Sequence, residues 1–192
     1  MLLMSLAYAA DLVLEQPLPD GRRLTVVLPA PWTATTAAEA WGRGDALDGP
    51  RAVLELRGPS GVLASLPLDA PLARLIPEPL VPGTWMVEAD LSAGMGSYNG
   101  PVATIIDVTD TLRFATINGE PVRLMTSLKT AWRRDGADLL LVACRPTEAD
   151  MITTFTRYHL GKRGWTRRAR TEPTCFEFLE DEPFPVEARF PR

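Results

Sequence analysis

Turn dipeptides recur at short intervals along this chain, and the runs between them alternate apolar with polar residues. Asp20-Gly21 separates "DLVLEQPL" from "RRLTVVLP", with Leu12, Leu14 and Leu18 sharing one parity and Leu24, Val26 and Leu28 another. "GPSG" at 58–61 divides "RAVLEL" from "VLASLPL", Asn118-Gly119 follows "TLRFATI", and Asp135-Gly136 precedes "ADLLLVAC". Gly161 and Gly164 bracket one more loop. Asp-Gly or Asn-Gly between alternating runs is the strongest short-range hairpin signal, because both residues accept the positive φ that a tight hairpin turn demands. Val102, Thr104, Ile106 and Val108 alternate as a further strand, downstream of another at 84–91. The 18 prolines and 14 glycines disfavour long helices. The expectation is a mainly β domain, an antiparallel, meander-rich sandwich or barrel with one or two short helices. One helix is expected to open at a Thr36–Glu39 capping box and stop at Gly42. "TSLKTAWRR" at 126–134 reads as either a second short helix or a strand.

A chain of 192 residues suits one domain. Its apolar fraction of 46% at a net charge of −4 excludes wholesale disorder. The expected domain spans 11–192, with the Pro-rich segment 67–83 as an extended surface connection and the one candidate for a subdomain boundary. Residues 1–10 end in Ala7-Tyr8-Ala9, which resembles the cleavage site of a secretory signal but lacks its basic beginning. The segment is expected to be the remnant of a signal peptide, with an apolar first strand as the alternative. Localisation is accordingly expected to be periplasmic or secreted, with cytoplasmic as the alternative. No run approaches the ~18 apolar residues of a membrane span.

Few catalytic or ligand-binding constellations are open to this composition. One histidine and two well-separated cysteines cannot form a common zinc site. Asp107 and Asp110 flank a turn and read as turn chemistry rather than calcium ligands. A Ser-His-Asp triad would have to use His159, which sits in an arginine-rich hairpin. "GMGSYNG" at 94–100 misses the dinucleotide fingerprint, since Asn99 stands where the third glycine belongs and Pro101 leads into a strand. No metal, cofactor or catalytic residue is expected.

"RYHLGKRGWTRRAR" at 157–170 is the most charged stretch, with no acid anywhere from Met151 to Thr171. Closing a loop at Gly161–Gly164 sets Leu160 opposite Trp165, Tyr158 opposite Arg167 and Arg157 opposite Arg168. Alternation then collects Tyr158, Leu160, Trp165 and Ala169 on one face and Arg157, His159, Arg168 and Arg170 on the other. Like charges facing each other repel. A fourth strand at 174–179 would relieve this by placing Glu177 beside Arg168, giving a structural ladder Arg157–Arg168–Glu177 in a meander of 138–144, 151–160, 165–171 and 174–179. Export favours a bond between Cys144 and Cys175. A flat meander opposes it, since three strand spacings of ~4.8 Å separate the first strand from the fourth.

Lys162 and Arg163 sit at the loop tip, beyond the reach of cross-strand neighbours. With Arg170 and His159 they are the expected partner-binding residues. The expected function is that of an exported bacterial β-rich protein without enzymatic activity, binding an acidic protein or an anionic envelope polymer. One alternative is a hydrolase with a carboxylate-based site in a cleft. The other is a weak nucleic-acid binder acting through 157–170, disfavoured by the acidic chain and the six acids between Glu172 and Glu187.

Overall fold

The computed structural model describes residues 11–43, 49–91, 101–126, 130–146, 151–162, 164–175, 184–185 and 187–192. It is mainly β, with antiparallel sheets and one short α-helix. The first sheet is a meander of β1 (Leu12–Pro17), β2 (Arg23–Leu28), β3 (Val53–Gly58) and β4 (Gly61–Pro67). Both of its hairpins close at the turn signals read from sequence, around Gly21 and at Pro59-Ser60. The middle sheet contains β5 (Ala73–Leu75), β6 (Thr84–Asp90) and β7 (Pro101–Asp107). Its far side is completed by β8 (Arg113–Phe114) and, after the small hairpin of β9 (Thr116–Ile117) and β10 (Glu120–Pro121), by β11 (Arg123–Met125). Asn118 at φ 54° and Gly119 at φ 88° give that small hairpin positive φ at both central residues, the signature of a type I′ turn. The third sheet is a meander of β12 (Thr130–Asp135), β13 (Asp138–Pro146), β14 (Met151–Gly161) and β15 (Gly164–Glu172).

The three sheets stack. Leu24, Val26, Leu54 and Leu56 of the first sheet pack against Trp85, Val87 and Ile106 of the middle one. The opposite face of the middle sheet, through Met86, Ala103, Ile105 and Leu124, packs against Leu139, Leu141 and Tyr158 of the third. Strands β6 and β7 are therefore buried on both faces. The alternation read at Val102–Val108 marks only half of that burial. Ala103 and Ile105, of the other parity, are just as apolar and fill the second core.

The short helix α1 (Ala34–Ala40) begins at Thr33, three residues before the expected box. Thr33 Oγ1 accepts from the Thr36 N–H, and Thr36 Oγ1 accepts from the Thr33 N–H. Thr36 is thus the third residue of the helix, where its hydroxyl replaces the usual Glu or Gln. Gly42 ends it at φ 76°. The "TSLKTAWRR" ambiguity resolves to strand over Thr130–Arg134, because Thr130–Asp135 is the outer strand of the third sheet.

The Pro-rich segment 67–83 is not an extended surface connection. Leu68, Ala70, Leu72 and Leu80 are buried, and Ala73–Leu75 forms the edge strand of the middle sheet. Its prolines fall at the ends of extended pieces, where a missing N–H costs no ladder bond. The readings made on 1–10, on "GMGSYNG" and on Glu177 lie outside the described residues. The strands flanking "GMGSYNG", β6 and β7, are antiparallel neighbours, so no helix opens at Pro101.

Candidate functional site

The hairpin of β14 and β15 has the register read from sequence: Leu160 pairs with Trp165, Tyr158 with Arg167, and Arg157 with Arg168. Its two faces separate as alternation requires. Tyr158 and Trp165 turn towards the middle sheet. Phe155, two residues before Arg157 on the other face, is fully buried against Leu140, Val142 and Phe190.

That second face is not simply an outer one. The chain leaves β15 and returns across it. Cys175 bonds to Cys144 of β13 with Cα atoms 5.3 Å apart. Thr153 Oγ1 donates to the Thr174 carbonyl at 2.5 Å. Phe190 packs edge-on against Phe155 at 5.5 Å between ring centres. A flat meander with a fourth strand from Thr174 is therefore excluded: Thr174 and Cys175 are not in a strand, and Cys175 lies over the strand from which that meander would have held it about 14 Å away. The meander does have four strands, but the additional one is β12, upstream.

Among the described residues the arginine face takes its counter-charges from Asp138, Glu187 and main-chain oxygens. Arg157 Nη1 donates to Asp138 Oδ2 at 2.6 Å, its Nη2 to Glu187 Oε1 at 2.8 Å, and its Nε to the Pro191 carbonyl at 2.9 Å. Arg168 donates to the main-chain oxygen of Arg192. These groups relieve the Arg157–Arg168 repulsion, and Glu177, assigned that role in the expected ladder, lies outside the described residues. His159 Nδ1 lies 2.6 Å from Asp138 Oδ1. Asp138 thus bridges the histidine and Arg157, and it stands opposite His159 in the β13–β14 register. Partial burial pushes the Asp138 carboxyl up, but hydrogen bonds from His159 and Arg157 outweigh it and hold it below the ordinary carboxylate value. For Arg157, burial acts downward and is outweighed by its bonds to Asp138 and Glu187, which raise its pKa.

Together Asp138, Arg157, His159, Thr166, Arg168 and Glu187 line an open groove of about 480 Å³. A carboxylate-oriented imidazole is half of a nucleophilic triad. Among the described residues no hydroxyl or thiol is hydrogen-bonded to His159 Nε2, and the Thr166 hydroxyl donates to the His159 main-chain carbonyl at 3.2 Å. The arrangement is that of a satisfied ion-pair network. Asp107 likewise serves its turn, accepting from Thr109 N and Oγ1 and pairing with Arg113.

Those of the expected partner-binding residues that are described differ in their surroundings. His159 is held by Asp138, and Arg170 is held by Glu172 at 2.9 Å above the Phe155 ring. Lys162 is exposed at the hairpin tip, with no ion pair among the described residues. Arg163 lies outside the described residues. Sequence reading missed Asp138, although a hairpin at Asp135-Gly136 already placed it at the start of a strand. It also left Arg145 and Arg167 unassigned, although parity sets Arg167 on the Tyr158 face and Arg145 on the Leu139–Leu141 face.

Comparison with family models, with curated proteins and with solved structures gives no match. Among the described residues no helix is long and apolar enough to cross a membrane.

Proposed function

We propose that this chain is an exported bacterial protein without enzymatic activity that binds an acidic protein partner along β15 and the hairpin tip. The observation that carries this reading is the exposure of β15. All six residues from Thr166 to Thr171 are exposed at the edge of the third sheet, three of them arginines. An exposed edge offers unpaired main-chain groups to an added strand, and its cations select an acidic one. Lys162 extends the positive charge to the tip. Export is supported by the Cys144–Cys175 bond, since disulfides persist mainly in oxidising compartments. The leader-like residues 1–10 point the same way.

The carboxylate-hydrolase alternative requires a cleft acid with a raised pKa, and the Asp138 carboxyl is shifted the other way. The test of the binding reading is affinity capture from native extracts with the wild type and with a Lys162→Glu/Arg163→Glu double variant. Loss of an acidic captured partner is expected in the variant. Equal capture by both proteins overturns the reading, and tight DNA or RNA binding at low salt would replace it with the nucleic-acid alternative.

A further inference from the structure

A second cationic site lies on the opposite face of the third sheet, where that sheet overhangs the middle one. Arg123 from β11, Arg145 from β13 and Arg167 from β15 surround a recess of about 190 Å³. Its floor carries Thr154, Thr156 and Tyr158 of β14. Among the described residues no carboxylate lines it.

Register places these groups together. Tyr158 pairs with Arg167 across the β14–β15 ladder, and Thr154 pairs with Ala143, two residues before Arg145. Arg123 is paired with Asp69 at 2.7 Å. Among the described residues Arg145 and Arg167 have no anionic partner, unlike Arg157 and Arg170 of the other face. Thr156 is 2% exposed and Tyr158 8% exposed, yet neither side-chain hydroxyl has a hydrogen-bond partner among the described residues. Neither is sealed from solvent, since among the described residues the buried side-chain polar atoms left without partners are Thr25 Oγ1 and Trp32 Nε1. Both residues line the recess, where an unpartnered hydroxyl can donate to a ligand. The charges of Arg145 and Arg167 act on the Tyr158 hydroxyl, where burial dominates and raises its pKa. That hydroxyl stays protonated, and a donor, at neutral pH.

We infer that this recess is a binding site for a tetrahedral oxyanion, the phosphoryl or sulfo group of a ligand. Two guanidiniums without carboxylate partners among the described residues, a third beside them, and hydroxyls able to donate form a lining suited to an anion. Guanidinium forks match the oxygen spacing of such a group, and bonds to ionised groups are roughly twice as strong as neutral ones. A carboxylate lining would repel it, and among the described residues there is none. The recess shares Arg123, Tyr158 and Arg167 with a groove of about 380 Å³ along the Asn118–Pro121 hairpin, where Glu120 also lines the wall and which leaves room for an uncharged or cationic body of the ligand. The site shares Arg167 with the β15 edge, but Lys162 of the hairpin tip does not line it.

Calorimetric titration of the full chain with inorganic phosphate, inorganic sulfate and glycerol 3-phosphate tests the inference, with glycerol as the neutral control. Saturable binding of at least one oxyanion and none of glycerol is expected, with the phosphate and sulfate arms deciding between the two groups. Arg145→Gln and Arg167→Gln, both at exposed positions, are each expected to weaken binding about tenfold or more through loss of a charge-assisted bond. Tyr158→Phe is expected to weaken it about threefold to tenfold, with an unchanged melting temperature showing that the sheet is intact. Lys162→Glu/Arg163→Glu is expected to leave oxyanion binding unchanged, which separates this site from the hairpin tip. No saturable oxyanion binding, or equal affinity in the wild type and in Arg145→Gln/Arg167→Gln, overturns the inference.

Discussion

Cys144 and Cys175 are bonded across the face of the third sheet that also buries Phe155 and Phe190. The bond fixes the start of a segment that would otherwise depend on a few side chains to stay on the sheet. Cys144 itself is fully buried. The bond closes a loop over a sequence separation of 31 residues. In the chain-entropy account, opening a loop of that length costs about 3–4 kcal/mol. Cys144→Ser/Cys175→Ser is expected to lower the unfolding free energy in urea by about that amount. Intact mass should rise by about two daltons on reduction, as the thiol–disulfide stoichiometry requires.

The same segment is held at its far end by aromatic packing. Phe190 is 2% exposed, edge-on to Phe155 and stacked on Phe184 at 5.6 Å. Phe190→Ala removes both contacts and leaves a cavity over Phe155. A loss of about 3–5 kcal/mol is expected for a buried phenylalanine. Hydrogen exchange should show the Phe155 amide region opening in this variant while the first sheet keeps its protection.

Asp138 ties this face to pH. Its folded pKa is depressed, so the stability it contributes is present above the unfolded pKa, near the ordinary aspartate value of 3.8. That stability is lost as pH falls through the folded value. Asp138→Asn should therefore cost stability at neutral pH, about 1–3 kcal/mol for donors on His159 and Arg157 left poorly satisfied. The gap between variant and wild type should close on acidification below about pH 4. A constant difference from pH 7 to pH 2 in thermal unfolding would show that Asp138 acts through shape and not charge.

How much of this was legible in the sequence differs between elements. The β14–β15 register was readable because three independent constraints converge there: Gly161 and Gly164 close the loop, the aromatics share a parity, and a one-residue slip would bury arginines. The small hairpins were readable for a related reason, since only residues such as Asn118 and Gly119 tolerate their φ values. The stacking of three sheets was not. Alternation reports burial of one face, and a strand such as β7, apolar at both parities, can lie in a two-layer or a three-layer packing. The path of the chain after β15 was hidden too. A net attraction between Glu177 and Arg168 can be written from charges alone, whereas Arg157 finds Asp138 and Glu187 through strand pairing and a disulfide crossing that no local pattern encodes. The candidate oxyanion recess depends on the same tertiary facts, because Arg123 and Arg145 meet only where the third sheet overhangs the middle one.

Gly83 shows how closely the loops of the middle sheet approach. It has φ 79°, and a Cβ built on it would lie 2.6 Å from Thr109 Cγ2. Thr109 cannot turn aside freely, since its hydroxyl donates to Asp107 Oδ1 at 2.8 Å and its N–H to the same oxygen. Gly136 also has positive φ, 59°, but nothing within 4 Å of the added atom. Gly136→Ala should therefore cost about 1 kcal/mol, the backbone penalty alone. Gly83→Ala should cost that penalty plus a steric one, about 2–4 kcal/mol in all. Thr109→Ser keeps the hydroxyl that Asp107 accepts and removes the methyl that the new Cβ would strike. Gly83→Ala/Thr109→Ser should therefore be more stable than Gly83→Ala alone, with a favourable coupling of about 1–2 kcal/mol in a double-mutant cycle. Strict additivity in that cycle would assign the whole cost to the backbone at Gly83 and none to Thr109.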